Sequence, residues 1–356
     1  MDFIKQLKVF VRPDSKVCVD NNIFRICTKL TFMILGIMVV LVSSKQFFGE
    51  PIHCIVDEIP QKIIDSYCWF YSTYTLSNRM IGISGRDMLQ PGVSSDSAGF
   101  NDTVKYHSYY QWVCFTLLFQ AFCSYLPYYI WKSFENGRIK ALSEELKQPF
   151  LEDEAKTKRK AALIFYVKEN LNNHSYYAYR FYLCELLNCA IAIGQIYLTN
   201  LFLGGAFLNY GIDVMRQDAA EPMTRIFPKM TKCVFHKYGP SGSVQKFDGL
   251  CVLPVNVLNE KIYLFLWFWF FFISVLSILA VVYRALICSL PKLRYKLLRT
   301  RARLASPRDI QYILIRFNVG DWFMLYQLSK NIDALTFKEI CRELSTELYS
   351  NNFTLK

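Results

Sequence analysis

Histidine is scarce in this chain, and the residue patterns of common catalytic and metal sites are missing. The four histidines are scattered over 356 residues, at His53, His107, His174 and His236. Cys233 and His236 have the spacing of a metal-ligand pair, but a matching second pair does not occur. Residues 239–243 lack the lysine of a phosphate-binding loop, so we interpret them as a turn. The sequence predicts a protein that is not an enzyme and that needs no cofactor or metal.

Low-complexity sequence and internal repeats are absent from the charged segments, whereas apolar residues are abundant elsewhere. Hydrophobic residues make up 53% of the chain and aromatic residues 16%, with a mean hydropathy of +0.17. Four apolar runs approach the roughly 20 residues that a helix needs to cross a hydrocarbon core. They are predicted as membrane spans at residues 30–44, 110–131, 181–202 and 262–283. The composition therefore predicts an all-α membrane protein built on a four-helix transmembrane bundle.

Basic residues are distributed unevenly between the segments that flank these spans. One set of segments carries 29 Lys and Arg in 151 positions and a net charge of +13, while the other carries 12 in 124 and is neutral. Because cytoplasmic segments retain positive charge, the basic set is predicted to be cytoplasmic, in a multi-pass plasma-membrane protein. The cytoplasmic segments are 1–29, 132–180 and 284–356, and the extracellular loops are 45–109 and 203–261. The basic residues cluster beside spans, which favours contact with anionic lipids over nucleic-acid binding.

Cysteine positions provide an independent indication of this topology. Each predicted extracellular loop holds two cysteines, Cys54 and Cys68 in the first and Cys233 and Cys251 in the second. The other eight of the twelve lie in spans or cytoplasmic segments, where reducing conditions keep thiols free. Disulfides are therefore predicted in the extracellular loops, and spacing alone leaves three connectivities open.

Polar and helix-bending residues in or beside the spans each allow two interpretations. Asn101 begins an extracellular glycosylation sequon, which is either occupied or a chance match. Pro127 predicts a kink near Cys123 in the second span, with a role in gating or as a locally satisfied bend. Glu185 and Asn188 share one face of the third span, where they form packing hydrogen bonds or take part in permeation.

The predicted cytoplasmic segments are rich in helix-forming sequence. Residues 132–180 are highly charged and predict a solvated helical hairpin, and the tail after Pro291 has apolar residues at helical spacing. We expect the tail to pack against the loop as a small helical domain. The N-terminal segment mixes apolar and basic residues, so it lies on anionic lipid as an interfacial anchor or folds into a pore mouth.

Several motifs resemble those of the innexins, the invertebrate gap-junction proteins, in an insect-type or insect-virus-borne form. The signature is Tyr109-Tyr110-Gln111-Trp112-Val113, at the start of the second span. Further matching motifs extend over nearly the whole chain, at residues 17–22, 54–60, 67–69, 235–243, 248–254, 259–263 and 320–323. The opening Met1 to Ile4 differs from many insect members, and the tail ends without an evident partner motif.

The resemblance implies a symmetric ring of identical subunits, with eight as the expected number and other innexins as further partners. A ring of this kind docks at cell–cell junctions with the hemichannel of the neighbouring cell through its extracellular loops. The resemblance also implies disulfides that staple the two loops to each other, Cys54 to Cys251 and Cys68 to Cys233. Stapling would hold the docking surface rigid and lower the ordering cost of docking.

The resemblance further implies a pore lined by the N-terminal segment, the first span and the start of the first loop. Ring symmetry repeats each lining residue once per subunit, so a single charge becomes a ring that selects ions. The candidates are Phe3, Lys29, Lys45, Gln46, Asp57 and Glu58. The alternative for the two lysines is snorkelling to the membrane interfaces.

Three functions are compatible with these features. The leading prediction is a gap-junction channel that passes ions and small metabolites between cytoplasms. The first alternative is an unpaired hemichannel that releases small solutes, which glycosylation at Asn101 would favour by obstructing docking. The second is a four-pass adhesion or scaffold protein that does not conduct.

Overall fold

A computed structural model describes residues 17, 19–80, 90–94, 103–144, 146, 153–216 and 220–354. Phe3 and Asn101 lie outside these residues. Contacts group the chain into two compact units. The helical unit comprises Met1–Thr31, Ser124–Ile191 and Ser274–Lys356, and the sheet unit comprises Phe32–Cys123 and Ala192–Ile273.

The chain is mostly helical, as predicted, and four of its helices are long and apolar enough to cross a membrane. In chain order the helices are α1 (Asn22–Phe47), α2 (Gln61–Tyr71), α3 (Val113–Glu135), α4 (Arg138–Ser143), α5 (Asp153–Glu169), α6 (Ser175–Phe202), α7 (Phe207–Arg216), α8 (Ala220–Ile226), α9 (Pro254–Ser289), α10 (Pro291–Arg301), α11 (Pro307–Arg316), α12 (Val319–Ser329) and α13 (Ala334–Thr354). The candidate spans are α1, α3, α6 and α9.

All four of these helices extend beyond the predicted spans, at one end or at both ends. The largest difference is in α9, which begins at Pro254 rather than at residue 262. Its first turns contain polar residues that are buried. Asn256 donates to the carbonyl of Pro228 at 2.8 Å, and Glu260 is almost fully buried. Hydropathy marks the apolar part of a helix only, so it does not detect such a start.

The second span differs in its first residues. Residues 109–111 form a short 3-10 turn, and α3 starts at Val113. The helix then continues through Pro127 to Glu135. The kink and its role in gating remain predictions.

Aromatic side chains fill the core of the helical unit. Phe181 of α6 stacks on Phe323 of α12 with ring centroids 5.3 Å apart, and Trp131 of α3 meets Phe181 edge-on at 4.7 Å. Pairs of rings in these geometries stabilise a core beyond the area that they bury.

The predicted packing of the tail against the loop is confirmed, since Lys160 of α5 contacts Glu339 at 2.8 Å and Glu343 at 3.1 Å on α13.

A buried carboxylate attaches α12 to the start of α6. Asp321 accepts hydrogen bonds from the backbone nitrogen of Asn172 at 2.9 Å and pairs with Nδ1 of His174 at 2.8 Å. Gly320 lies directly against the backbone of His174 and Ser175, where a Cβ atom would collide. The close approach of two backbones explains why a glycine precedes the aspartate.

A second buried carboxylate pairs within the helical unit. Glu185 of α6 receives two hydrogen bonds from Arg284 of α9, at 2.5 and 3.0 Å, and Asn188 donates to Ser277 at 3.1 Å. Both polar residues of the third span are thus engaged with the fourth span of the same subunit. These contacts favour the packing interpretation over a role in permeation.

The two predicted extracellular loops together build a five-stranded antiparallel sheet. The strands are β1 (His53–Ile55), β2 (Thr73–Leu76), β3 (Val104–His107), β4 (Met230–Tyr238) and β5 (Val244–Val252), in the spatial order β1-β5-β4-β2-β3. The sequence analysis did not predict this sheet. Three of the strands have only three or four residues, too few for a clear alternation of apolar and polar positions.

Candidate docking site

Two disulfides join the first loop segment to the second within the sheet unit. Cys54 of β1 bonds to Cys251, its register partner on β5, and Cys68 of α2 bonds to Cys233 of β4. These are the two pairs that the family resemblance implied. The sulfurs of Cys54, Cys68 and Cys251 lie within 4.8 Å of one another and are buried. Because the four thiols are oxidised, Cys233 is not a free thiolate that could bind a metal with His236.

Helix α2 covers the outer edge of β1. The backbone nitrogen of Cys54 donates to Asp65 at 2.7 Å, and Nε2 of Gln61 donates to the carbonyl of Cys54 at 2.5 Å and to Asp65 at 3.0 Å. An edge strand otherwise presents unpaired backbone groups that attract further strands. Two polar side chains on one helix turn therefore close this edge of the sheet.

The signature residues Tyr110 and Gln111 bind the end of that same helix. Tyr110 is fully buried and donates to the carbonyl of Cys68 at 3.5 Å, while its ring packs on Trp69 at 4.9 Å. Nε2 of Gln111 donates to the carbonyl of Trp69. The last carbonyls of a helix have no partner within the helix. The signature therefore caps α2 next to the Cys68 disulfide, a role that the motif alone does not reveal.

The other three signature residues differ in burial. The hydroxyl of Tyr109 donates to the carbonyl of Ile226 at 3.2 Å, and burial raises the pKa of this phenol. Val113 is fully buried, whereas 59% of Trp112 is exposed. Four of the five signature positions thus anchor the start of the second span, and Trp112 presents an aromatic ring outward.

The β4–β5 hairpin extends beyond the other strands. Among the described residues, 234–238 and 244–248 pair only with each other. The predicted turn is confirmed at its tip, where the nitrogen of Gly239 donates to the carbonyl of Ser243 at 2.8 Å and Gly242 has a φ of +80°. Tyr238 and Val244 flank the turn with 76% and 59% of their surface exposed. A two-stranded projection with apolar side chains at its tip is a surface suited to contact with another protein.

The candidate pore residues occur in different parts of the chain. Lys29 lies in the helical unit, with Nζ 4.1 Å from the ring centroid of Tyr128. Lys45 and Gln46 are half-buried near the end of α1, and Asp57 and Glu58 are exposed in the turn after β1. Lys29 is therefore engaged inside its own subunit. The pore-lining role of all these candidates, Lys29 included, remains a prediction.

Helix α1 is the least covered of the four candidate spans. Its apolar window is 28% buried, compared with 39 to 44% in the other three. The exposed side chains include Ile37, Val40 and Leu41. This surface is available to lipid, to a pore or to a neighbouring subunit.

His107 provides a pH-dependent element in the sheet. It is 2% exposed on β3, and its Nε2 lies 2.8 Å from the hydroxyl of Thr75 on β2. Burial, aided by the charge of Lys105, lowers the pKa of His107 from 6.5 to about 4. Between these values the unfolded chain binds a proton that the folded chain does not, so stability present above pH 6.5 is lost as the pH falls.

We expect acidification from pH 7.5 to pH 4 to lower the stability of the sheet by up to about 3 kcal/mol. The measurement is thermal unfolding of the purified protein against pH. A His107→Gln variant should lose most of this acid dependence, and a His236→Gln variant, altered at an exposed position, should retain it. An unchanged acid dependence in His107→Gln would assign the effect to another group.

Comparisons with known proteins agree with this architecture. The Innexin family profile matches residues 20–348. Innexin inx2 of Drosophila melanogaster is 53% identical over 353 residues, covering 98% of this chain and 96% of the relative. Innexin inx2 of Schistocerca americana is 51% identical over 98% of both chains. Innexin shaking-B of Drosophila melanogaster is 40% identical over 99% of this chain and 96% of its own length.

The matches extend over both units and include the four candidate spans, the cysteine pairs and the signature. The matched family consists of channel proteins and not of enzymes. Its members assemble into oligomers that meet an apposed hemichannel. The chain belongs to the innexin family, the plasma-membrane proteins whose members are subunits of gap-junction channels.

Proposed function

We propose that this chain forms a ring of eight identical subunits whose sheet unit docks onto an apposed ring. In this arrangement both termini are cytoplasmic, and the docked pore conducts ions and small metabolites between two cells. The observation that carries the proposal is the disulfide-joined sheet built from both predicted extracellular loops.

The covalent joins supply the rigidity that docking requires. Each disulfide connects positions far apart in sequence, 197 and 165 residues respectively. The hairpin that carries Tyr238 and Val244 at its tip is stabilised by the pairing of β4 with β5. The Cys68–Cys233 disulfide fixes the base of this hairpin. A surface that is ordered before contact loses less conformational entropy on association.

The charge distribution supports the orientation. The segments assigned to the cytoplasm carry 29 of the 41 basic residues, whereas the two loops that supply the sheet are neutral overall. Oxidised cysteines also belong outside the cell, because the cytosol keeps thiols reduced. Both arguments support an extracellular position for the sheet.

Junctional current is the direct test of the function. Two cells that express the chain are brought into contact and recorded with dual voltage clamp. Current that passes between the cells supports the proposal. Current across the membrane of unpaired cells without junctional current would identify a hemichannel, and adhesion without either current would identify a non-conducting scaffold.

Two further measurements test orientation and subunit number. In intact cells a membrane-impermeant maleimide should label a Lys237→Cys variant, at the exposed hairpin, but not a Lys338→Cys variant, at an exposed position of α13. The reverse pattern would overturn the topology. Native mass spectrometry of the purified assembly should give eight times the subunit mass of 41.7 kDa.

A further inference from the structure

The segment that follows the fourth candidate span carries only positive charge. Residues 285–308 contain seven Lys and Arg and no Asp or Glu. Helix α10 begins at Pro291, two residues after α9 ends at Ser289. A helix rises about 1.5 Å per residue, so Lys292 and Lys296 lie within about 10 Å of the end of α9 along the chain. This distance is comparable to the Debye length at physiological salt, about 8 Å.

The packing of α10 determines which side chains face outward. Leu298 is completely buried, and the indole nitrogen of Trp322 on α12 donates to the carbonyl of Arg294 at 3.1 Å. With this face of the helix held against the helical unit, Lys292 and Lys296 are exposed at successive turns of the same side. Neither lysine has a salt bridge to any residue that the structure describes.

The same helix also contains a donor without an acceptor. Nε of Arg294 is buried and has no hydrogen-bond partner among the described residues. A buried donor without an acceptor is costly, and a phosphate oxygen would satisfy it.

We propose that α10 binds the phosphorylated headgroup of an anionic phospholipid, a phosphoinositide, at the cytoplasmic surface of the membrane. Lys292 and Lys296 meet the negatively charged headgroups, and Arg294 donates to a phosphate oxygen. Clusters of basic residues directly after a span attract anionic lipids of the cytoplasmic leaflet. The leaflet assignment rests on the proposed topology, whereas the contact between α10 and the headgroup does not.

The test is lipid binding by the full-length protein purified in neutral detergent. A fluorescent short-chain phosphatidylinositol 4,5-bisphosphate is titrated, and its anisotropy is recorded. The Lys292→Gln/Lys296→Gln variant should bind about 25-fold more weakly, about fivefold for each basic residue near the lipid surface. The matched control is Lys237→Gln/Lys246→Gln, which removes the same charge from exposed positions of the hairpin and should stay within about twofold of the wild type.

Two variants of Arg294 distinguish the effect of its charge from the effect of its Nε hydrogen bond. Arg294→Lys keeps the charge but lacks the Nε donor, so its affinity should lie between those of the wild type and Arg294→Gln. Thermal unfolding shows whether each variant folds. If the Arg294 variants do not fold, the test rests on the variant of the exposed pair Lys292 and Lys296.

Three results would overturn the proposal: equal weakening in the hairpin control, no preference of the wild type for the phosphoinositide over phosphatidylcholine, or equally tight binding of soluble inositol trisphosphate. The last would indicate a site for free phosphate compounds and not for a membrane lipid. In detergent the lipid can reach all surfaces of the protein, so the binding result does not depend on whether the chain forms junctions between cells. Failure of lipid binding can therefore be distinguished from failure of the proposed function.

Discussion

Replacing Cys54 and Cys251 together by serine is expected to abolish junctional current between paired cells. The bond joins the edge strand β1 to β5 across 197 residues, and loss of such a native disulfide costs about 4 kcal/mol. The sheet unit would then lose its pre-ordered docking surface. Dual voltage clamp measures the current, and protease resistance of the extracellular loops measures the folding of the sheet.

The control for this variant is a cysteine that is not in a disulfide. Cys123 is a free thiol of intermediate exposure in α3, so Cys123→Ser should conduct at the wild-type level. Surface biotinylation shows whether each variant reaches the plasma membrane. Normal junctional current in the Cys54→Ser/Cys251→Ser variant would show that docking does not depend on this bond.

The single variant Cys54→Ser should be more heterogeneous than the double variant. It leaves Cys251 as a thiol whose sulfur lies within 4.8 Å of that of Cys68. The Cys251 thiolate can attack Cys68, form a Cys251–Cys68 bond and release the thiolate of Cys233. Peptide mapping under non-reducing conditions should detect this exchanged pair in the single variant alone.

Replacing Asp321 by alanine is expected to destabilise the helical unit by about 3 to 5 kcal/mol. The carboxylate is buried and satisfies both the backbone nitrogen of Asn172 and the ring of His174. Alanine leaves these two donors enclosed without an acceptor. The readout is the rate at which the buried thiol of Cys341, in the same unit, reacts with a maleimide as temperature rises.

A second aspartate on the same unit provides the comparison. Asp333 accepts from the backbone nitrogen of Leu335 at 3.1 Å before α13, in the manner of an ordinary helix cap. Asp333→Ala should therefore cost about 1 kcal/mol. Equal effects of the two substitutions would mean that the buried pair contributes no more than a surface cap.

The four candidate spans were predictable because hydropathy acts locally, and their orientation stays a prediction made from local charge. A run of apolar side chains enters the membrane whatever its neighbours, and basic flanks remain in the cytoplasm by a count over short segments. The helix ends were less predictable. The start of α9 depends on Asn256 reaching the carbonyl of Pro228, a contact with another segment that no window along the chain contains.

The candidate docking site was only partly predictable. Sequence reasoning predicted that four cysteines are extracellular but left three pairings open, and only the family resemblance chose among them. The sheet was missed, since β1 with its three residues becomes a strand by pairing with β5. The Tyr110 and Gln111 signature was recognised as a motif, but its capping of α2 became evident only from the hydrogen bonds to Cys68 and Trp69.

By itself the sequence determined that this is a multi-pass membrane protein with four candidate spans and which family it resembles, and it predicts which side of the membrane carries the positive charge. The tertiary structure alone decided that the two predicted extracellular loops form one sheet, that α2 closes its edge and that Glu185 pairs with Arg284 inside the subunit. The physical reason is the distance along the chain over which each interaction acts. Transfer of a helix into lipid is a sum over neighbouring residues, whereas a strand pair, a cap or a buried ion pair depends on partners that meet only after the chain has folded.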